Sequence, residues 1–192
     1  MDVRTLRRSP VRWLGLLAAV AMMLIVPLGS SSALASARRV GFGFHAGDIS
    51  GFPTGSVSLN GGGAFDLSAS TIHAGGGFSC THDVNQLFLA GCLQGQGVRW
   101  DTAGLLPSTS FKCTGAVTEA LKPATTGPDT VVLQADFYRA GDANDESFSA
   151  QMIVSTQDIA ADIQGVQNVW VQGVGCGAAT VHFGLTGSGG PA

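Results

Sequence analysis

From Val40 onward the chain alternates apolar and polar residues with a period of two. Val40, Phe42 and Phe44 alternate with Gly41, Gly43 and His45. Val57 and Leu59 alternate with Ser56, Ser58 and Asn60, and Phe65 to Ser70 is a strict alternation. Val131, Leu133, Ala135 and Phe137 oppose Gln134, Asp136 and Tyr138. Phe148, Ala150, Met152 and Val154 oppose Ser149, Gln151 and Ser155. Trp170 and His182 take the opposite phase to the valines and phenylalanine that flank them. Successive side chains of a strand point to opposite faces, so this pattern describes half-buried strands. Glycine clusters at 61–63, 75–77 and 173–177 read as turns, as do Pro107-Ser108, Thr126 to Asp129 and Gly141-Asp142. The expectation is an all-β fold of about ten short strands, a single antiparallel β-barrel or β-sandwich. At most one short helix is expected, over Thr156–Ile163, capped by Ser155 or Thr156 and stopped at Gly165. Lys122–Asp129, with Pro123 and Pro128, is the most linker-like stretch.

A different pattern precedes the strands. Arg4, Arg7, Arg8 and Arg12 lead into an uncharged apolar run from Trp13 to Leu28, closed by Pro27 and Gly29. Ala33-Leu34-Ala35 and Ala35-Ser36-Ala37 are small-residue cleavage signals. A basic region, an apolar region and an A-x-A site describe a secretory signal peptide over residues 1–37. The run is shorter than the ~20 apolar residues of a spanning helix, and no later run is long enough. The layout expected is therefore a cleaved leader, a single all-β domain at 38–185, and a flexible tail at 186–192 rich in Gly and Pro.

Composition narrows the function classes. Charged residues make up only 12% of the chain and hydrophobic residues 45%, which excludes a charge-rich disordered protein. The net charge is -3, and loss of the leader with its four arginines and Asp2 takes it near -6. An acidic surface argues against nucleic acid and other polyanions as partners. Cys80, Cys92, Cys113 and Cys176 form an even set without a C-x-x-C pair, which in an exported protein reads as two disulfides. Cys80–Cys92 and Cys113–Cys176 are the favoured pairs.

Chemistry-bearing residues are sparse. No G-x-S-x-G, H-E-x-x-H or P-loop motif occurs, and no cofactor is expected. His45 and His182 fall on the polar phase of their strands and would meet if the first and last strands pair. With Asp48 they are the acid/base candidates; His73, and His82 beside Asp83, are further histidines. Asp142, Asn144 and Glu146 have the alternate spacing of an oxygen-rich calcium loop, without its Gly and its final Glu, in a stretch where a turn is expected anyway. Asp158 and Asp162 would share a helical face. Trp170, between two valines and flanked by Asn168 and Gln172, is a candidate for stacking on a sugar if it faces out, and a core residue if it does not.

Short motifs carry a resemblance. Gly75-Gly76-Gly77-Phe78-Ser79-Cys80, Gly97-Val98-Arg99-Trp100-Asp101, Phe111-Lys112-Cys113, Ala135 to Arg139 and Gly173 to Gly177 resemble uncharacterised secreted Gly-rich all-β proteins of high-GC Gram-positive bacteria. The resemblance implies export and an all-β fold and carries no activity. The leading expectation is a disulfide-stabilised domain, extracellular or at the cell envelope, with a non-catalytic binding or structural role. Its partner would be a small molecule, a glycan or an envelope protein. The alternative is a small extracellular hydrolase or isomerase using a His/Asp pair in a barrel mouth.

Overall fold

The computed structural model describes residues 39–53, 55–140 and 147–186. All described residues lie within one compact unit, Ala35–Ala192. That unit is all-β. Its strands are β1 (Arg39–Gly51), β2 (Ser56–Asp66), β3 (Thr71–His82), β4 (Arg99–Leu106), β5 (Ser108–Phe111), β6 (Lys122–Thr125), β7 (Thr130–Tyr138), β8 (Phe148–Ser155), β9 (Val169–Val171), β10 (Gly175–Gly177) and β11 (Ala179–Leu185). The one helical element among the described residues is a 3-10 turn at Leu87–Leu89.

Nine strands form one antiparallel sheet in the order β10-β9-β8-β7-β4-β3-β2-β1-β11, and β10 also pairs with β1. The sheet thus closes nearly into a ring. The seam is a single long line: Gly175 and Cys176 lie against Gly51 and Ser50, and Ala179 to Leu185 continue against Ala46 to Val40. Thr186 N–H donates to the Arg39 carbonyl at 3.0 Å, so the two ends of the described fold are bonded neighbours.

The inward phase of the alternation fills the ring. Phe65, Leu59, Trp100, Leu133, Phe137 and Met152 are fully buried there, with Phe42, Phe44 and Phe78 nearly so. Phe78 meets Phe137 edge-on at 5.0 Å, and Phe42 stacks on Phe183 at 5.8 Å. Outside the ring, β5 and β6 pair as a separate hairpin. This hairpin brings Phe111 and Ala124 into a second cluster with Val132, Ile153 and Trp170, the outward phase of β7, β8 and β9. The disulfide Cys113–Cys176 ties that hairpin region to β10, and Cys80–Cys92 closes the loop after β3, so both favoured pairings are present.

Three local expectations are corrected. Thr156–Ile163 is not a helix. Asp158 Oδ1 accepts from the backbone N–H groups of Ala160 and Gln167 (3.0 and 3.2 Å), and this side-chain competition holds an irregular loop instead. The linker-like stretch contains β6, where Pro123 is tolerated because a two-stranded hairpin has only edges. The triglycine runs at 61–63 and 75–77 are not turns. They sit in the middle of β2 and β3 and face each other, Gly61 opposite Gly76 and Gly62 opposite Gly75. The physical reason is close approach: a Cβ on Gly61 would stand 2.7 Å from the Trp100 ring, and one on Gly62 would strike the Phe42 carbonyl. The actual β2–β3 turn is Leu67–Ser70, where Asp66 Oδ1 accepts from the Ser68 and Ala69 N–H groups at 2.8 and 3.1 Å.

Candidate functional site

The outer face of β11, β1, β2, β3, β4 and β7 carries the outward phase of each strand. Register places residues in transverse rows across it. One row runs His182, Gly43, Gly62, Gly75, Asp101 and Asp136, ending at Ser149 of β8. The next runs Thr180, His45, Asn60, Gly77, Arg99 and Tyr138. Three consecutive cross-strand positions in the first row are glycine, so bare backbone forms a floor between His182 on one side and Asp101 on the other. Gly43 is open above: the nearest heavy atom to a Cβ there is the Gly61 carbonyl oxygen at 3.8 Å.

The walls are planar polar groups. Asn60 is pinned twice, its Oδ1 accepting from Gly77 N–H at 3.1 Å and its carbonyl accepting from Trp100 Nε1 at 2.9 Å. Trp100 therefore links the filled interior to the outer face. Arg99 lies 4.2 Å over the Tyr138 ring, and its Nε stands 3.2 Å from Asp101 Oδ2 as an ion pair without hydrogen-bond alignment. Asp101 and Asp136 oppose each other across β4 and β7; Ser149 donates to Asp136 at 3.1 Å and accepts from Gln134 at 2.7 Å. Exposed ion pairs of this kind contribute little stability.

His45 and His182 do come together on this face, because β1 pairs with β11. His45 opposes Thr180 and His182 opposes Gly43, which makes the histidines diagonal neighbours, and both are exposed. Diagonal pairs on adjacent strands stand roughly 7–8 Å apart. Asp48 is exposed in the irregular stretch between Ala46 and Ile49, where the register with β2 shifts. No hydrogen bond or ion pair joins it to His45 among the described residues. His73 is exposed opposite Ala64. His82 Nδ1 meets Ser56 Oγ at 2.8 Å, while Asp83 accepts from Gln94 N–H at 2.7 Å, so those two neighbours serve separate partners. Asp158 holds its own loop, and Asp162 pairs with Lys122 at 3.0 Å.

Trp170 faces away from the ring interior, with Val169 and Val171 inward, yet it is 3% exposed. The β5–β6 hairpin region covers it: Phe111 packs at 5.5 Å, and Trp170 Nε1 donates to the Lys112 carbonyl at 2.8 Å. Asp142, Asn144 and Glu146 lie outside the described residues.

At the end of the ring near the β2–β3 turn there is an open hollow of about 260 Å³, lined by Leu67, Ser70, Leu105, Leu106, Pro107, Thr125 and Thr126. Its lining holds no titratable side chain, and the candidate histidines lie elsewhere. At the opposite end, the Cys80–Cys92 loop displays Leu87 and Phe88, with Leu93 just beyond it, each about half exposed, around the buried anchor Leu89.

Sequence reading assigns Gly41, Gly43, His45 and Asn60 to the polar phase. It misses the floor, because Gly62 and Gly75 read as turn residues. It also misses Arg99, Asp101 and Tyr138 as members of one surface, because only register brings them beside Asn60. No family model, curated protein or solved structure matches the chain.

Proposed function

We propose that this chain is a secreted, disulfide-stabilised β-barrel that acts as a non-catalytic binding module for a neutral glycan, using the outer face around Gly43, Gly62 and Gly75. The observation that supports this most is the glycine row itself. Bare backbone in the middle of a sheet lets a flat ligand approach closely. Sugars offer the matching chemistry, with ring faces that rest on a flat floor and hydroxyls that both donate and accept. His45, His182, Asn60, Arg99 and Asp101 surround that floor with groups of both kinds. A filled interior, with Trp100 and Phe137 fully buried at the level of the site, supports recognition on the surface of the barrel.

Residues 1–37 serve as the signal peptide in this reading, and the mature chain begins at Ser36 or Arg38. N-terminal sequencing of exported protein checks that part. The binding reading is tested by retention of the oxidised mature protein on insoluble neutral glycans: cellulose, chitin, an α-glucan and a β-1,3-glucan. Gly43→Leu fills the floor without striking the core and should abolish retention while leaving the melting temperature nearly unchanged. Asn60→Ala and Arg99→Ala should weaken it. Failure of the wild-type chain to bind any of the four, or full binding by Gly43→Leu, overturns the reading.

A further inference from the structure

Among the described residues β11 has one neighbour, β1. Thr186 N–H bonds to the Arg39 carbonyl, which makes that pair a hydrogen-bonded one. In an antiparallel ladder such pairs alternate, so Gly184, His182 and Thr180 also direct their backbone groups toward β1. The N–H and C=O groups of Val181, Phe183 and Leu185 then point the other way, to an open edge. Ala179 confirms the parity. Its N–H donates to Asn168 Oδ1 at 2.7 Å and its carbonyl accepts from Asn168 Nδ2 at 3.0 Å, on the side away from β1. One side chain thus caps the start of the edge, and nothing among the described residues covers the remainder.

Natural edge strands are blunted by lysines, prolines, bulges or inward charges. The β11 sequence ATVHFGL has no acidic, lysine, arginine or proline residue, and its register with β1 runs unbroken from Ala179 to Leu185. The strand is also self-complementary. Turned antiparallel on itself about Phe183, it sets Phe183 against its own copy, Val181 against Leu185 and His182 against Gly184. The first two pairs bury apolar groups, including Leu185, which is 69% exposed. The third places the imidazole where there is room, since a Cβ on Gly184 meets nothing within 4 Å. No charged side chain loses water in this register.

We propose that β11 pairs with β11 of a second copy of this chain, forming a two-fold dimer with one continuous sheet across both. The outer faces then join, with the two His182 side chains flanking the axis. This proposal does not depend on glycan binding. A strand pair of this length is a small interface, so the dimer is weak and concentration-dependent.

The test is sedimentation equilibrium of oxidised mature protein over a wide concentration range, in the absence of glycan. Leu185→Pro is the main variant. It removes an N–H that points away from β1, so it leaves the fold's own ladder intact. Two-fold symmetry removes the bond twice, and dimerisation should weaken about thirtyfold. Circular dichroism melting of the same variant confirms that it folds. A second measurement fixes the register. The double variant His182→Cys with Gly184→Cys should form a covalent dimer on oxidation, because those positions face each other across the axis. Within one chain they lie two residues apart on an extended strand, beyond the reach of a disulfide. A chain that stays monomeric to about 1 mM overturns the proposal, as that leaves under ~4 kcal/mol for association. A dimer that Leu185→Pro does not weaken, or a double variant that never cross-links, also overturns it.

Discussion

Glu119 is the most consequential charge in the outer cluster. It lies in the loop between β5 and β6, and its side chain is 7% exposed. Its carboxylate accepts from Cys113 N–H at 2.7 Å, Thr114 N–H at 2.8 Å, Thr114 Oγ1 at 2.6 Å and Lys122 Nζ at 2.8 Å. It thereby fixes the backbone at one end of the Cys113–Cys176 disulfide. Burial alone would raise its pKa, but these four donors more than offset it and hold the carboxyl down at about 2, from an ordinary 4.5. At 1.36 kcal/mol per pH unit, that gap corresponds to about 3 kcal/mol of folding stability. The sign follows from the direction. Above pH 4.5 both folded and unfolded chains carry the charge, and the contribution is complete. As the pH falls, the unfolded chain takes up the proton first, so the contribution fades between about 4.5 and 2 and is gone below. Glu119→Gln keeps the shape and removes the charge. For a domain of this size it should lower the melting temperature at pH 7 by about 5–10 °C. Calorimetric or circular dichroism melting of both proteins from pH 2 to 8 reads this directly. The two curves should converge toward the acid end. A variant that melts with the wild type at pH 7, or a gap that stays constant down to pH 2, refutes the assignment.

Three other outcomes are expected. Gly61→Ala should destabilise by about 3 kcal/mol, since its φ of +152° and the Trp100 ring both oppose a Cβ, while Gly43→Ala should be near neutral; denaturant unfolding of the pair decides, and equal effects would contradict the packing argument. Removing the Cys113–Cys176 bridge, which spans 63 residues, should cost about 4 kcal/mol against about 3 for Cys80–Cys92, which spans 12, and the reverse order in thermal melts would point to strain rather than chain entropy. Trp170→Phe should cost about 2 kcal/mol in urea unfolding, because the buried Lys112 carbonyl loses its donor, and a loss under ~0.5 would show that bond to be dispensable.

Much of the fold was legible because alternation and burial share one cause. Val131 to Phe137 and Phe148 to Val154 alternate in sequence and line the ring as expected. Wherever a second layer covers the sheet, the outward phase stops being polar and the signal blurs: Val132, Ile153 and Trp170 are outward yet buried. Glycine was the other failure. A triglycine run is a turn signal by local preference, but at 61–63 and 75–77 the strands meet too closely for side chains, a fact that belongs to a partner strand and not to the local sequence. The helix expected at Thr156–Ile163 fails for a local reason: the Asp158 carboxylate takes the Ala160 N–H that a helical carbonyl would need, and ties the loop to Gln167 N–H instead. At the site, His45 and His182 could be placed together from strand phase alone. Arg99 and Asp101 could not, since no local pattern tells which strand lies beside β3.

The bond between Thr186 and Arg39 has a mechanical consequence. The described fold begins and ends on adjacent antiparallel strands, at the same end of the ring. Tension applied through anything joined to both ends would therefore pull β11 and β1 directly apart. The ladder between them would open like a zipper, one pair at a time from Leu185 toward Ala179, and never bear the load on all its bonds together. The peeling would stop at Cys176, where the covalent bridge to Cys113 shifts the strain onto the outer hairpin region. Stretched from its ends, such a protein yields β11 first and at low force, because among the described residues β11 is held on one side only while β1 is held on two.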